Sequence, residues 1–145
     1  MLSVLTPAQM RQLDAHMINE QGTPEEVLME QAAMGVTAAV KELLPLGGRV
    51  FVFCGSGNNG GDGFVVARLD MLAGFETRVV LVARTEEISG DARVFMNVYR
   101  NLGGVLKSAP DEAAAAAAVR GLAECAVLVD ALLGTGTRGE VRGPV

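Results

Sequence analysis

Val50-Phe51-Val52-Phe53-Cys54-Gly55-Ser56-Gly57-Asn58-Asn59-Gly60-Gly61-Asp62-Gly63-Phe64-Val65-Val66-Ala67-Arg68-Leu69 decides the fold. The apolar run at its start reads as a buried strand, and the pattern from Asp62 onward reads as a helix. Between them lies a glycine-dense turn. A strand, such a turn and a helix, in that order, predict a site for an anionic or highly polar ligand. Glycine admits positive φ and close approach of the backbone, and the helix N-terminus offers free N–H groups with the positive end of its dipole. Gly55-x-Gly57-x-x-Gly60 also fits a dinucleotide-binding fingerprint. Two details set it apart from an ordinary pyrophosphate turn. Asp62, expected in the first helical turn, would compete with phosphate for the same N–H groups. Asn58 and Asn59 add side-chain amides suited to hydroxyls, carboxamides or an oxygen-coordinated cation. The plainer reading is a tight βα turn in which Asn and Asp cap the helix.

Outward from this stretch the chain alternates. Upstream, Thr6-Pro7-Ala8-Gln9 predicts a capped helix with a Met10, Leu13, Met17 stripe, ended by Gly22. Thr23-Pro24-Glu25-Glu26 repeats the device for a helix to about Leu44, with Leu28, Ala32, Gly35, Val36, Ala39, Val40 and Leu43 expected on its buried face. His16 reads as a solvated or core-edge histidine. Glu30 is the polar residue of note on the second helix, and a solvated side chain is its default reading. Strands are expected at 49–54, 78–83, 105–107 and 126–130, and helices at 62–72, 90–101 and 111–123. That alternation means parallel strands joined by right-handed crossovers. The fold class expected is α/β: a Rossmann-like three-layer αβα sandwich with a mainly parallel sheet, preceded by two helices.

In a sheet ordered 3-2-1-4 the first and fourth strands are neighbours, and ligands bind in the crevice between their loops. The loop after Cys54 should therefore face Asp130-Ala131-Leu132-Leu133-Gly134-Thr135-Gly136-Thr137-Arg138-Gly139. Asn58, Asn59, Asp62 and Asp130 would converge there, with Arg138 and the backbone of Gly134 to Gly136 available to a phosphate. Asp130 could instead cap its own loop.

Composition excludes several classes. The chain has 145 residues, half of them apolar, with a net charge of -5. It carries no basic run and no Trp, so a nucleic-acid surface is not expected. No apolar segment is long enough to span a membrane, and the first residues lack the features of a signal peptide. Cys54 and Cys125 are too far apart for metal-ligand spacing and read as buried small hydrophobes in a cytoplasmic protein.

Gly57-Asn58-Asn59-Gly60-Gly61-Asp62-Gly63, then Val129-Asp130-Ala131-Leu132-Leu133-Gly134-Thr135-Gly136, with Leu28-Met29-Glu30 upstream, resembles the YjeF N-terminal domain, the family of NAD(P)H-hydrate epimerases. The resemblance implies repair of hydrated NADH and NADPH (NADHX and NADPHX) by interconversion of the R and S epimers at C6 of the nicotinamide ring. It implies a potassium ion held by Asn59 and Asp130. It implies substrate binding by Asn58, Asn59, Gly60, Gly61 and Asp62. Gly134, Thr135, Gly136, Thr137, Arg138, Gly139 and Glu140 would hold the phosphate-bearing part. Asp62 and Asp130 are the carboxylates available as catalytic candidates, with Asp62 expected to orient substrate and the principal acid or base open to lie in the family's continuation beyond Val145. The resemblance further implies a homodimer, and coupling to an ADP- or ATP-dependent dehydratase that consumes the S form; the two amphipathic helices before the sheet read as dimer or lid elements. Residues 1–145 then read as a single domain of this type. The family domain is expected to continue beyond Val145 with a further strand and an Asp-x-Pro-Ser-Gly motif. The helix motif departs from the family pattern, with Ala32-Ala33 where Ala-Gly is usual.

Two other readings remain. One is a non-catalytic ligand-binding or scaffold module of the same fold, which the absence of that last motif favours and the retained Asn58, Asn59, Asp62 and Asp130 oppose. The other is an NADP-binding oxidoreductase, with Arg84 after the second strand placed against a 2′-phosphate.

Overall fold

The computed structural model describes residues 4–124, 126–137 and 140. Two helices, α1 (Pro7–Asn19) and α2 (Glu25–Leu43), precede an alternating βα chain. It runs β1 (Arg49–Cys54), α3 (Asn58–Leu72), β2 (Glu76–Leu81), α4 (Gly90–Asn101), β3 (Val105–Ser108), α5 (Glu112–Arg120) and β4 (Val127–Ala131). The four strands form one sheet in the order β3-β2-β1-β4, and every pair is parallel. The expected strand order, and with it the crevice between β1 and β4, is present.

The side-chain alternation of β1 divides the core. Val50, Val52 and Cys54 pack with Phe64, Val65, Phe95 and Met96 on the α3 and α4 side, where α2 also packs on α3. Phe51 and Phe53 pack with Val80, Val82 and Ala118 on the α5 side. Because both faces are covered, β1 is apolar throughout instead of alternating. Each fully buried Val or Phe contributes roughly 1.5–3 kcal/mol. Tyr99 joins layers: its buried hydroxyl lies 3.1 Å from the carbonyl oxygens of both Thr77 and Val105.

Several boundaries differ from expectation. β2 lies two residues earlier because Arg49 pairs with Glu76 and Cys54 with Leu81 across the ladder. An Arg49–Glu76 ion pair of 3.0 Å marks the start of that register. The Thr6–Gln9 capping box of α1 is present as expected. Thr23 does not cap α2, whose N-cap is Pro24 with no side-chain bond. The buried stripe of α2 is Met29, Ala33, Thr37 and Val40, one position off most of the expected set. Val36 and Leu43 are exposed instead. The helix turns the face that fits α3, with Met29 against Gly61, and leaves the more apolar face outside.

Asp70 on α3 is fully buried, and neither of its carboxylate oxygens nor Thr37 Oγ1 reaches hydrogen-bond geometry. Burial raises its pKa, and the neighbouring Thr37 and Lys41 only partly offset this. The native state therefore holds this proton more tightly than the unfolded chain does. The associated stability is present at acid pH and is lost as pH rises from the unfolded value through the raised one.

Candidate functional site

The glycine-dense loop works by packing and not by left-handed backbone. Among the described residues the glycines with positive φ are Gly22, Gly47, Gly74, Gly90 and Gly103, none of them in the 55–63 stretch. α3 starts at Asn58, four residues ahead of the expected start, with Gly57 as N-cap. Gly60 and Gly61 are thus helical. A Cβ at Gly60 would sit 2.0 Å from the carbonyl oxygen of Gly55, and one at Gly55 would sit 2.1 Å from that of Leu132. The absence of side chains lets β1, α3 and the loop after β4 close on one another.

That contact brings the two loops to one site. Asn58, Asn59 and Asp62 share a cleft of about 1280 Å³ with Gly134, Thr135, Gly136 and Thr137. Gly134 lies so near Asn59 that an added Cβ would be 3.1 Å from the Asn59 Cβ. Gly60 and Gly61 are buried beneath the cleft as backbone spacers. Arg138 and Gly139 lie outside the described residues, and Glu140 is not in the cleft wall. Arg84 is outside the wall too; its backbone N–H donates to Glu87 Oε2, opening a short 3-10 turn. The oxidoreductase reading therefore loses its phosphate ligand.

Asp62 falls in the second turn of α3, one turn later than expected, and faces the cleft. Burial raises its pKa to about 6, and the charges of Asp14 and Glu25 add to the effect. Glu25 also accepts a 3.2 Å hydrogen bond from Asn58 Nδ2, which fixes that amide. A carboxyl that titrates near neutral pH beside two amides can orient a hydroxyl or exchange a proton with it.

Asp130 stands apart from this group. It is the penultimate residue of β4, opposite Phe53; its side chain is exposed, and it is not in the cleft wall. Its Oδ1 accepts a 2.9 Å bond from the Leu132 N–H, the loop-capping role foreseen as the alternative. The second carboxylate oxygen remains for another partner. Asn59, in the cleft, makes no side-chain hydrogen bond among the described residues. As donors these two hard oxygens suit an alkali cation in kind. Among the described residues no cluster of three or more His, Cys, Asp or Glu could hold a metal.

Other residues resolve plainly. His16 is exposed beside Glu20, 3.2 Å away. Glu30 is not solvated alone: it accepts two bonds from Arg68 Nη2, tying α2 to α3. Cys54 is a free, fully buried thiol whose pKa burial raises; Cys125 lies outside the described residues. No helix among the described residues is long and apolar enough to cross a membrane.

The two leading helices were expected as dimer or lid elements, but none of their residues was expected to line the site. α1 and the start of α2 close the cleft with Met10, Leu13, Met17 and Leu28, and with the charged Arg11, Asp14 and Glu25. One signal was present: Asp14 lies on the Met10–Met17 stripe of α1, where a core-facing helix would be apolar.

The family model described as YjeF-related protein N-terminus matches residues 25–145. The chain is 39% identical over 143 residues to the bifunctional NAD(P)H-hydrate repair enzyme Nnr of Moorella thermoacetica, covering 97% of this chain and 27% of that one. It is 36% identical over 142 residues to the NAD(P)H-hydrate epimerase of Rhodopirellula baltica, covering 98% and 56%. The crystal structure of yeast ynu0 superposes with a TM-score of 0.84 at 27% identity, over 99% of this chain and 61% of that one. The chain thus spans between about a quarter and three-fifths of these relatives.

Proposed function

The chain belongs to the family of YjeF-related protein N-termini, and on that premise we propose that it epimerises hydrated NADH and NADPH at C6 of the nicotinamide ring. The observation that carries the reading is the single cleft in which Asn58, Asn59 and Asp62 meet Gly134 to Thr137. The names of the relatives support the substrate class. At C6 the hydroxyl is part of a carbinolamine. Protonation lets the C6–O bond break with its electron pair leaving as water, while the ring nitrogen lone pair forms the N1=C6 bond. Water returns to the opposite face and releases the proton. Asp62 is the group in the cleft suited to move that proton or to hold the hydroxyl. Asn58, fixed by Glu25, would hold the ring carboxamide.

Asn59 and Asp130 would hold a potassium ion, which supplies fixed positive charge beside the substrate. Gly134 to Thr137 would receive the phosphate-bearing part. The protein would act in the cytoplasm, delivering the S epimer to a nucleotide-dependent dehydratase; the dehydratase partner is suggested by the bifunctional name of one relative. A homodimer is part of the same proposal. Its support is the exposed apolar face of α2, with Val36 and Leu43 at 39% and 72% exposure. A single-copy mass by light scattering would remove the dimer.

The test is epimerisation of R-NADHX by the purified chain, in potassium and in sodium buffer. A rate above the spontaneous one, larger in potassium and no longer so in Asp130→Asn, is the expected outcome. A folded chain with no excess in either buffer would overturn the activity, and an excess indifferent to the cation would overturn the ion site.

A further inference from the structure

α1 is complete as a helix yet contributes nothing to the core. A full capping box closes its N-terminus, but none of its residues is buried. Its apolar side, Met10, Leu13, Met17 and Ile18, faces the cleft, and Met10 and Leu13 remain 45% and 44% exposed. A short helix draws most of its stability from packing an apolar face, so this one would gain by closing on something. Its link to α2 contains Gly22 at φ 69, followed by Thr23 and Pro24, a natural hinge between two helices.

The charges in the cleft are unevenly placed. Among the described lining residues Asp14, Glu25 and Asp62 are acids and Arg11 is the cation. Arg11 forms no ion pair or side-chain hydrogen bond among the described residues. The acids gather at Asp62, where Asp14 and Glu25 act on it directly. A pyrophosphate is repelled by that cluster. A guanidinium, planar and always charged, is the side chain best matched to phosphate oxygens.

We propose that Arg11 binds the phosphates of the dinucleotide and that α1 closes over the ligand as it does so. The proposal rests on the reading that a nicotinamide dinucleotide occupies the cleft. It assigns a substrate-binding residue to an element outside the 25–145 family match. The acid-lined end, with Asn58, then takes the uncharged nicotinamide. Arg11 and the 134–137 loop take the phosphates.

Fluorescence titration with NADPH and with reduced nicotinamide riboside, which has no phosphate, tests the assignment. Arg11→Ala should weaken NADPH binding roughly tenfold to a hundredfold, the scale of a charge-assisted bond. It should also flatten the salt dependence and leave the riboside affinity within about twofold. Arg11→Lys should recover part of the loss. Hydrogen exchange at 7–19 should slow when NADPH binds the wild type and not when it binds Arg11→Ala. Equal NADPH affinity in wild type and Arg11→Ala, equal losses with both ligands, or no NADPH binding at all would overturn the phosphate role. Unchanged exchange in α1 would overturn closure. Arg11-dependent NADPH binding without epimerisation of R-NADHX would leave this inference standing and remove the activity. Epimerisation with a KM indifferent to Arg11→Ala would do the reverse.

Discussion

Gly60→Ala is expected to lower the stability of the chain by roughly 3 kcal/mol, at the upper end of the cost of overpacking a core. Intrinsic propensity predicts the opposite sign, since Ala in a helix interior is favoured over Gly by about 0.5–1 kcal/mol. The packing decides. The new Cβ would lie 2.0 Å from the Gly55 oxygen, 2.8 Å from its carbon and 3.1 Å from its nitrogen. All three are backbone atoms, so no rotamer change relieves the clash. The β1–α3 loop must move, and Gly55 in turn abuts the backbone of Leu132. Separation of the two loops would open the cleft as well. Gly57→Ala is the control for an added methyl: nothing lies within 4 Å of its Cβ, its φ of -94 is ordinary, and loss of the glycine N-cap should cost about 1 kcal/mol at most. Urea denaturation of both variants checks the account. A Gly60→Ala protein as stable as Gly57→Ala would show that the close approach of these backbones is not what the glycines provide.

Asp62→Asn should reduce kcat/KM for epimerisation by about a hundredfold or more, the usual contribution of a positioned acid or base. The same change should stabilise the fold. The native pKa of about 6 lies above the unfolded carboxyl value, through burial first and then the charges of Asp14 and Glu25. The group's contribution is therefore intact at acid pH and is lost as pH rises from about 4 through about 6. Above that window the ionised carboxylate costs on the order of 1–2 kcal/mol, allowing for solvent screening, and Asn removes the cost. Loss of activity with a gain in melting temperature at pH 7.5 marks a functional residue held against its own stability. The wild-type kcat/KM profile should bend near pH 6, and that inflection should be absent from Asp62→Asn. An unchanged kcat/KM would remove Asp62 from the reaction.

Most of the architecture was legible because local signals agreed. The apolar run of β1 and the Thr6–Gln9 box each mark a boundary that the fold obeys. Alternation then left few topologies, and strand order followed. The start of α3 was not legible. Consecutive glycines read as a turn, and only three-dimensional packing shows that Gly60 and Gly61 are helical spacers under Gly55 and Met29. The face of α2 was misread for a similar reason: apolarity alone selects Val36 and Leu43, whereas fit to α3 selects Met29, Ala33 and Thr37.

At the site, the pairing of the 58–62 and 134–137 segments could be derived from sheet order. Asp130 could not be placed, because a residue at a strand end can turn its carboxylate to the crevice or to the loop's own N–H, and here it takes Leu132. The α1 wall was hidden for a different reason. An amphipathic stripe such as Met10, Leu13 and Met17 ordinarily faces a core. That it faces a cleft depends on where the helix lies, which is a tertiary fact.

The most direct test of the central claim is a ¹H–¹⁵N NMR titration of the labelled chain with NADHX. Shifts concentrated at 55–62 and 132–137, with a smaller set along 7–19, are predicted. Shifts confined to the α5 side of the sheet, or none with a folded protein, would contradict the assignment of this cleft to a hydrated nicotinamide dinucleotide.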